Sequence, residues 1–245
     1  MKSSVSFNST LSKFGMGLFE TIKVTDCPLD LDLHLDRMFN SARELNFNIG
    51  ENKEFYRKTI LEYIYKNDVK NKALRLTVFD EGYNISLRDI AYNEETYKKG
   101  FKLCISPIKR GDSIIYRHKT TNYYESMYSK HFATDNGFDD AIFLDTSGNV
   151  LECSLSNIFF VKSDTVYTPK SSLPILNGIM KLNVGRVCKS LNIDLVECDI
   201  DISSVDEYEG VFVTNSLMGV MPVTQINQIN FDKENKIIKL IKENL

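Results

Sequence analysis

A single lysine, Lys119, lies in a polar segment, "YRHKTTNYYES", that separates two runs with strand character. These runs are "FKLCISPI" before the segment and "DDAIFLDTSGNVLE" after it. An amine placed where core strands meet can act as a nucleophile that holds a carbonyl cofactor. The alternative is a solvated loop, because most lysine side chains face water. A role for Lys119 in cofactor binding therefore needs support from other polar groups of the chain.

Glu152 is the first of these groups. It lies in "VLECSLSN", a strand pattern in which its neighbours Leu151 and Cys153 favour burial. Such a glutamate either faces water on a hairpin or is a buried acid with a partner, because desolvating an unpaired charge is costly. The local pattern leaves both interpretations open.

Two further segments carry groups that suit a phosphate. Gly178 opens a predicted helix, so the amides of Ile179 and Met180 would point out of a helix N-terminus, where anions are favoured. In "VFVTNSLMGV", the polar residues Asn215 and Ser216 follow a predicted strand. A plain glycine turn and a plain polar turn are the simpler alternatives.

Arg37 lies on the flank of a predicted helix, where it could clamp a phosphate, although most such arginines are surface residues. The candidates together comprise an amine for a Schiff base, a carboxylate for a ring nitrogen and several groups for a phosphate. Those are the protein groups that pyridoxal phosphate chemistry requires.

The elements that must position these groups fall into two α+β halves. The first half predicts a strand at "GLFETIKV", helices at "LDLDLHLDRMFNSARELNF" and "EFYRKTILEYIYKN", and strands at "KALRLTVFDEG" and "GFKLCISPI". The second half predicts a strand meander over residues 140–169, a helix at "GIMKLNVGRVCKSLNI", strands at "DLVECDI" and "GVFVTNS", and a closing helix. Proline and glycine in "PIKRGD" indicate a connection between the halves. We therefore expect a small N-terminal domain at 1–107, a linker at 108–112 and a larger domain at 113–245 that carries Lys119.

Composition narrows the class of protein. The 245 residues have a net charge of −3, which removes the electrostatic argument for binding nucleic acid or an anionic membrane. No apolar run approaches the roughly 20 residues of a membrane helix, and "MKSSVSFNST" has no signal-peptide core. Five scattered cysteines predict reduced thiols in the cytoplasm, and the dispersal of the three histidines argues against a metal site.

The chain resembles the fold-type IV pyridoxal-phosphate enzymes, also called class IV aminotransferases. This family includes branched-chain and D-amino acid aminotransferases and aminodeoxychorismate lyase. The resemblance runs along nearly the whole chain in order, through the segments "GMGLFETIKV", "HLDRMFNSA", "HKTTNY", "NVLECSLSNIFFV", "LNGIMK" and "TNSLMGVMPV". It implies an α+β fold of two domains with the site between them, a homodimer, and a small-molecule amine or amino acid as substrate.

The resemblance also assigns roles to residues. Lys119 would form the Schiff base with pyridoxal 5′-phosphate, and Glu152 would pair with the pyridine nitrogen. Leu176 would contact the ring, and Asn157 would lie in the loop below the cofactor. The phosphate would be held by the remaining candidates, Arg37, the segment Gly178–Met180, Asn215 and Ser216.

The sequence leaves three functions open for this chain. The segments "NGIM" and "NSLMGVMPV" look most like aminodeoxychorismate lyase, and an aminotransferase for branched-chain or D-amino acids is the alternative. A protein that binds the cofactor without turnover is the third. The chain departs from the family pattern at Lys181, where an arginine is usual and where lysine cannot make the same bidentate contact. It has Arg88 but no accompanying histidine in "VFDEGYNISLRD", which weakens the D-amino acid alternative.

Overall fold

The computed structural model describes every residue from Met1 to Leu245. The chain forms two compact units. The N-terminal unit comprises Met1–Ala91 and the short segment His118–Tyr123, and the C-terminal unit comprises Tyr92–Arg117 and Tyr124–Leu245. The expected α+β fold is confirmed. The division of the chain differs from the expected one, because the segment with Lys119 belongs to the N-terminal unit.

The N-terminal unit is a three-stranded antiparallel sheet packed against helices. Its elements are α1 (Thr10–Phe14), β1 (Gly17–Val24), α2 (Leu31–Glu44), α3 (Lys53–Lys66), β2 (Lys72–Phe79) and β3 (Gly82–Asp89), with strand order β1-β2-β3. Alternate residues of β1, such as Leu18 and Ile22, are buried against the apolar stripe of α2, which includes Leu35 and Met38. The buried residues that alternate along β1 and those that recur about every 3.6 positions along α2 therefore pack into one core.

The C-terminal unit is built on a nine-stranded mixed sheet. Its strands are β4 (Phe101–Arg110), β5 (Asp140–Asp145), β6 (Val150–Cys153), β7 (Asn157–Lys162), β8 (Thr165–Pro169), β9 (Leu195–Cys198), β10 (Gly210–Asn215), β11 (Gly219–Ile226) and β12 (Ile229–Asn230). The strands follow the order β6-β5-β4-β11-β10-β7-β8-β9, and β12 pairs with β11. The helices are α4 (Glu94–Lys99), α5 (Tyr124–Asp135), α6 (Ile179–Ser190) and α7 (Lys236–Glu243). None of the helices in either unit is both long and apolar enough to cross a membrane.

The segment expected to link two domains is partly a strand. Residues 108–110 end β4, and Lys109 and Arg110 pair with Leu144 and Asp145 of β5. The register of this pair shifts between Ile105 and Lys109, so Pro107 lies in an irregular stretch where a missing backbone donor is tolerated. The proline therefore marks a bulge inside the sheet, and Arg110 enters the core of the C-terminal unit.

Candidate active-site clusters

The backbone around Lys119 is held against β1 within the N-terminal unit. The amide of Phe19 donates to the carbonyl of Lys119 at 3.0 Å, and the amide of Thr121 donates to the carbonyl of Gly17 at 2.9 Å. A Cβ at position 17 would lie 2.9 Å from the carbonyl oxygen of Val78, so only glycine allows β1 to run this close to its neighbours. Strand-like pairing thus fixes the position of the lysine.

The amine of Lys119 lies over two aromatic rings. Its Nζ is 4.5 Å from the ring centre of Phe19 and 5.3 Å from that of Tyr123, and the two rings meet edge to face at 5.2 Å. The guanidinium of Arg75 lies 3.8 Å from the same Phe19 ring. Burial, and to a lesser extent the positive charge of Arg88, holds the pKa of Arg75 below its ordinary value. Two cations therefore lie against the ring of Phe19, whose π electrons attract positive charge.

Arg37 is bound by a buried carboxylate on the other face of β1. Its Nε donates to Oε1 of Glu20 at 2.8 Å, and its Nη2 donates to Oε2 at 2.6 Å. Nδ1 of His34 lies 2.6 Å from Oε2. Glu20 is fully buried, and although burial alone would raise its pKa, Arg37 and His34 lower the pKa to about 2. The pair fixes the plane of the guanidinium; the phosphate contact of Arg37 stays a prediction.

Glu152 is a partnered acid in the C-terminal unit rather than a water-facing one. Its side chain is 13% exposed, and Oε1 accepts from Nη1 of Arg110 at 2.7 Å. Oε2 accepts from the amide of Leu176 at 3.1 Å. Arg110 also binds Glu125, with Nε 2.6 Å from Oε1. The structure therefore brings the predicted residues Glu152 and Leu176 together.

The start of α6 is the second cluster in this unit. Gly178 precedes the helix without a side-chain cap, and the amides of a first helical turn have no acceptor within the helix. A Cβ at position 178 would lie 2.4 Å from Oδ1 of Asn157, so the glycine lets the helix start pack on that side chain. The side-chain Nδ2 of Asn157 in turn donates to the carbonyl and hydroxyl oxygens of Thr214 at 3.0 and 3.1 Å.

The loop after β10 completes this cluster. Oδ1 of Asn215 accepts from the amides of Leu217 and Met218 at 3.0 Å each, which orders the turn that contains the half-buried Ser216. Together with the amides of Ile179 and Met180, these groups form a set of neutral donors. Such a set fits a phosphorylated cofactor, because an uncapped helix N-terminus stabilises an anion.

Lys181 anchors the first turn of α6. Its ammonium donates to the carbonyl of Pro169 at 2.6 Å and to the hydroxyl of Ser171 at 3.1 Å, and lies 3.4 Å from Glu197. Burial lowers the pKa of Lys181, partly offset by the charge of Glu197. The compact ammonium of Lys181 thus lies among three oxygens, an arrangement that suits a point charge.

The predicted site residues thus form two sets, one in the N-terminal unit and one in the C-terminal unit. In the N-terminal unit, Lys119 contacts Phe19 and Arg37 binds Glu20, the next residue along β1. In the C-terminal unit, Glu152 contacts Leu176, and the start of α6 packs on Asn157, which binds Thr214 next to Asn215 and Ser216. Sequence reasoning missed the partners of these residues, namely Phe19, Glu20, Arg75, Arg110, Tyr123 and Glu125. Only Glu20 carried a signal, since the alternation of β1 places it on the buried face.

The chain matches the family model described as amino-transferase class IV over residues 17–226. It is 24% identical over 243 residues to an aminodeoxychorismate lyase of Bacillus subtilis, covering 91% of this chain and 81% of that one. It is 27% identical over 237 residues to a branched-chain-amino-acid aminotransferase of Pseudomonas aeruginosa, covering 87% and 77%.

The fold is shared with solved structures. A branched-chain aminotransferase of Thermoproteus uzoniensis, solved with norvaline, superposes with a TM-score of 0.90 at 22% identity, and the match covers 99% of this chain and 88% of that chain.

Proposed function

The chain belongs to the amino-transferase class IV family, and from this we propose that it is a pyridoxal 5′-phosphate-dependent lyase acting on 4-amino-4-deoxychorismate. The products are 4-aminobenzoate and pyruvate, and the pathway served is folate biosynthesis. The cofactor is pyridoxal 5′-phosphate, which when bound accepts the electron pair released at the substrate carbon that bears the amine.

The surroundings of Lys119 carry this proposal. Its amine lies on an aromatic surface formed by Phe19 and Tyr123, with the guanidinium of Arg75 over the same Phe19 ring. The substrate is an unsaturated six-membered ring whose ring and side chain each bear a carboxylate, so aromatic side chains and a nearby guanidinium match its apolar ring and its charge. The similarity to the Bacillus subtilis lyase over 91% of the chain supports the same assignment.

The protein residues then have defined tasks. Lys119 would hold the cofactor, and its amine, once free, would take the proton from the substrate carbon that bears the amine. Glu152 would hold the proton on the pyridine nitrogen of the cofactor. The C–O bond at the neighbouring carbon breaks, the enol form of pyruvate leaves, and the ring becomes aromatic. Arg37, the start of α6 and Ser216 hold the phosphate.

We further propose a cytoplasmic homodimer. All five cysteines are free thiols, and three of them are buried, in keeping with a reducing compartment. Large apolar side chains are exposed on the 3₁₀ turn Ile114–Arg117 and on the start of α5, as expected of a surface that a second subunit covers.

A branched-chain aminotransferase is the second candidate. The identity of 27% to the Pseudomonas aeruginosa enzyme exceeds the 24% to the lyase. The same residues would carry out its proton transfers, and the product would be a keto acid.

The test is product analysis with 4-amino-4-deoxychorismate. We expect 4-aminobenzoate and pyruvate in equal amounts, lost in Lys119→Ala and retained in Lys58→Ala, whose side chain is an exposed lysine of the same unit. Transfer of amino groups from branched-chain amino acids to 2-oxoglutarate, without 4-aminobenzoate, would establish the second candidate. Cofactor binding without either reaction would establish a non-catalytic binding protein.

A further inference from the structure

Arg110 is a buried arginine shared by two carboxylates. Only 4% of its side chain is exposed, its Nε binds Glu125 at 2.6 Å, and its Nη1 binds Glu152 at 2.7 Å. The guanidinium lies 3.6 Å from the ring centre of Phe143 and 4.5 Å from that of Tyr116. Two aromatic rings and two carboxylates therefore contact this guanidinium within the C-terminal unit.

The two acids are held to different extents. Oε2 of Glu125 accepts from the hydroxyl of Tyr116 at 3.0 Å, and the side chain is 27% exposed. Glu152 is the more buried of the two, and its Oε2 accepts from the amide of Leu176. All of these partners are donors, so they bind the carboxylate rather than the acid form of each side chain. One arginine and two carboxylates sum to one negative charge, which suits a cationic partner.

We propose that Arg110 and Glu125 act as opposing positioning residues that set how strongly Glu152 draws on the proton of the cofactor ring nitrogen. The proposal rests on the role of Glu152 given above and deepens it. Arg110 withdraws charge from Glu152 and makes it a weaker base, so the proton stays on the nitrogen. Glu125 takes part of the charge of Arg110 and limits that effect.

The surrounding charges agree with this arrangement. Burial by itself lowers the pKa of Arg110, but the charges of Glu152 and Glu125 outweigh it and raise the pKa above its ordinary value, so the arginine stays charged. The other titratable groups that act on this cluster are Tyr116, Lys181 and the buried thiol of Cys153. The contacts of Lys181 to Pro169, Ser171 and Glu197 direct its ammonium elsewhere.

Replacing Arg110 and replacing Glu125 should have opposite effects on one measured quantity. The pH at which the visible absorption band of the bound cofactor changes reports the proton on the nitrogen that joins the cofactor to Lys119. A more firmly protonated ring nitrogen lowers this midpoint. We therefore expect Arg110→Gln to raise it by about 1 pH unit and Glu125→Gln to lower it by about half a unit. Arg186→Gln, an exposed arginine on α6, serves as the control and leaves it unchanged.

A double-variant cycle isolates the path through Glu152. In a Glu152→Gln background, both shifts are expected to disappear, because the group through which Arg110 acts is gone. Shifts of unchanged size in that background would overturn the proposal, as they would come from charge acting through space. Equal signs for Arg110→Gln and Glu125→Gln would overturn it as well.

Separate variants control for misfolding and for the proposed role of Glu152. If Arg110→Gln fails to fold, Arg110→Lys keeps the charge and loses the two-edged contact, and we expect a smaller shift of the same sign. If Glu152→Gln alone leaves the midpoint unchanged, the role of Glu152 itself is wrong, and the proposal falls with that premise. A shift in Glu152→Gln but none in the Arg110 and Glu125 variants would overturn the proposal alone. None of these readouts depends on which substrate the enzyme uses.

Discussion

The carboxylate of Glu20 gives the N-terminal unit a specific response to acid. Its pKa falls from 4.5 to about 2 on folding, because Arg37 and His34 outweigh the effect of burial. A lowered pKa contributes stability that is complete above pH 4.5 and is lost as the pH falls towards 2. The shift corresponds to about 3 kcal/mol of unfolding free energy.

Urea unfolding followed by circular dichroism between pH 6 and 2 checks this prediction. Glu20→Gln should be less stable than the parent at neutral pH, since it leaves the guanidinium of Arg37 without its buried partner. Its stability should also fall less steeply between pH 4.5 and 2. Glu62→Gln, an exposed acid on α3, should follow the parent curve. Parallel curves for parent and Glu20→Gln would contradict the prediction.

Single residues differ in how far the sequence could predict them. Glu20 shares the period of two with Leu18 and Ile22, so its burial could be read from the alternation. The burial of Arg110 could not, because only the pairing of β4 and β5 brings it near Glu125 and Glu152. A buried charge depends on partners that are distant in the chain, and the local sequence pattern does not show which residues these are.

At the scale of elements, the start of α6 depends on Gly178. Gly178→Ala would place a Cβ 2.4 Å from Oδ1 of Asn157, so either that side chain or the helix start must move. We expect the affinity for pyridoxal 5′-phosphate to fall by about tenfold, the equivalent of one hydrogen bond to a charged group. Titration of the cofactor-free protein, followed by absorbance, measures this affinity.

A matched control lies on the same helix. Gly185→Ala would meet only Cδ2 of Leu195, at 3.6 Å, which is ordinary contact. Because alanine favours a helix over glycine, this variant should unfold at an equal or slightly higher temperature and bind the cofactor normally. Equal affinities for the two alanine variants would show that the start of α6 does not take part in cofactor binding.

The strands and helices themselves were largely predictable. The apolar period of α2 and the alternation of β1 and β2 agree with the expected elements. The exceptions are α1, β3, α4, α5 and β11, which the sequence analysis did not predict, and the end of β4, where Pro107 was interpreted as a break. Proline interrupts a ladder but does not end a strand if the register shifts around it, and a shift of register depends on the neighbouring strand.

At the scale of the whole molecule, the division of the chain was less predictable than its elements. The segment His118–Tyr123 joins the N-terminal unit by pairing with β1, a contact across about 100 residues of sequence. Ordered motifs identified the family, because each motif keeps its place along the chain. They could not show which unit holds the lysine.

The proposed homodimer depends on an apolar surface of the C-terminal unit. Ile115, Tyr124, Met127 and Tyr128 are 40–81% exposed, and the hydrogen bond from Tyr116 joins the 3₁₀ turn to the start of α5. Exposed apolar groups of this size favour association because burial removes them from water. Light scattering after size exclusion should give twice the chain mass of 28.1 kDa.

Charge placed on this surface should separate the subunits. Met127→Glu puts a carboxylate where an apolar side chain would be buried, so we expect the mass of a single chain, with unchanged circular dichroism. Leu182→Glu is the control, because Leu182 is exposed to a similar degree on α6 and should leave the mass unchanged. A single-chain mass for the parent protein would reject the dimer, and a dimer that survives Met127→Glu would place its interface on another surface.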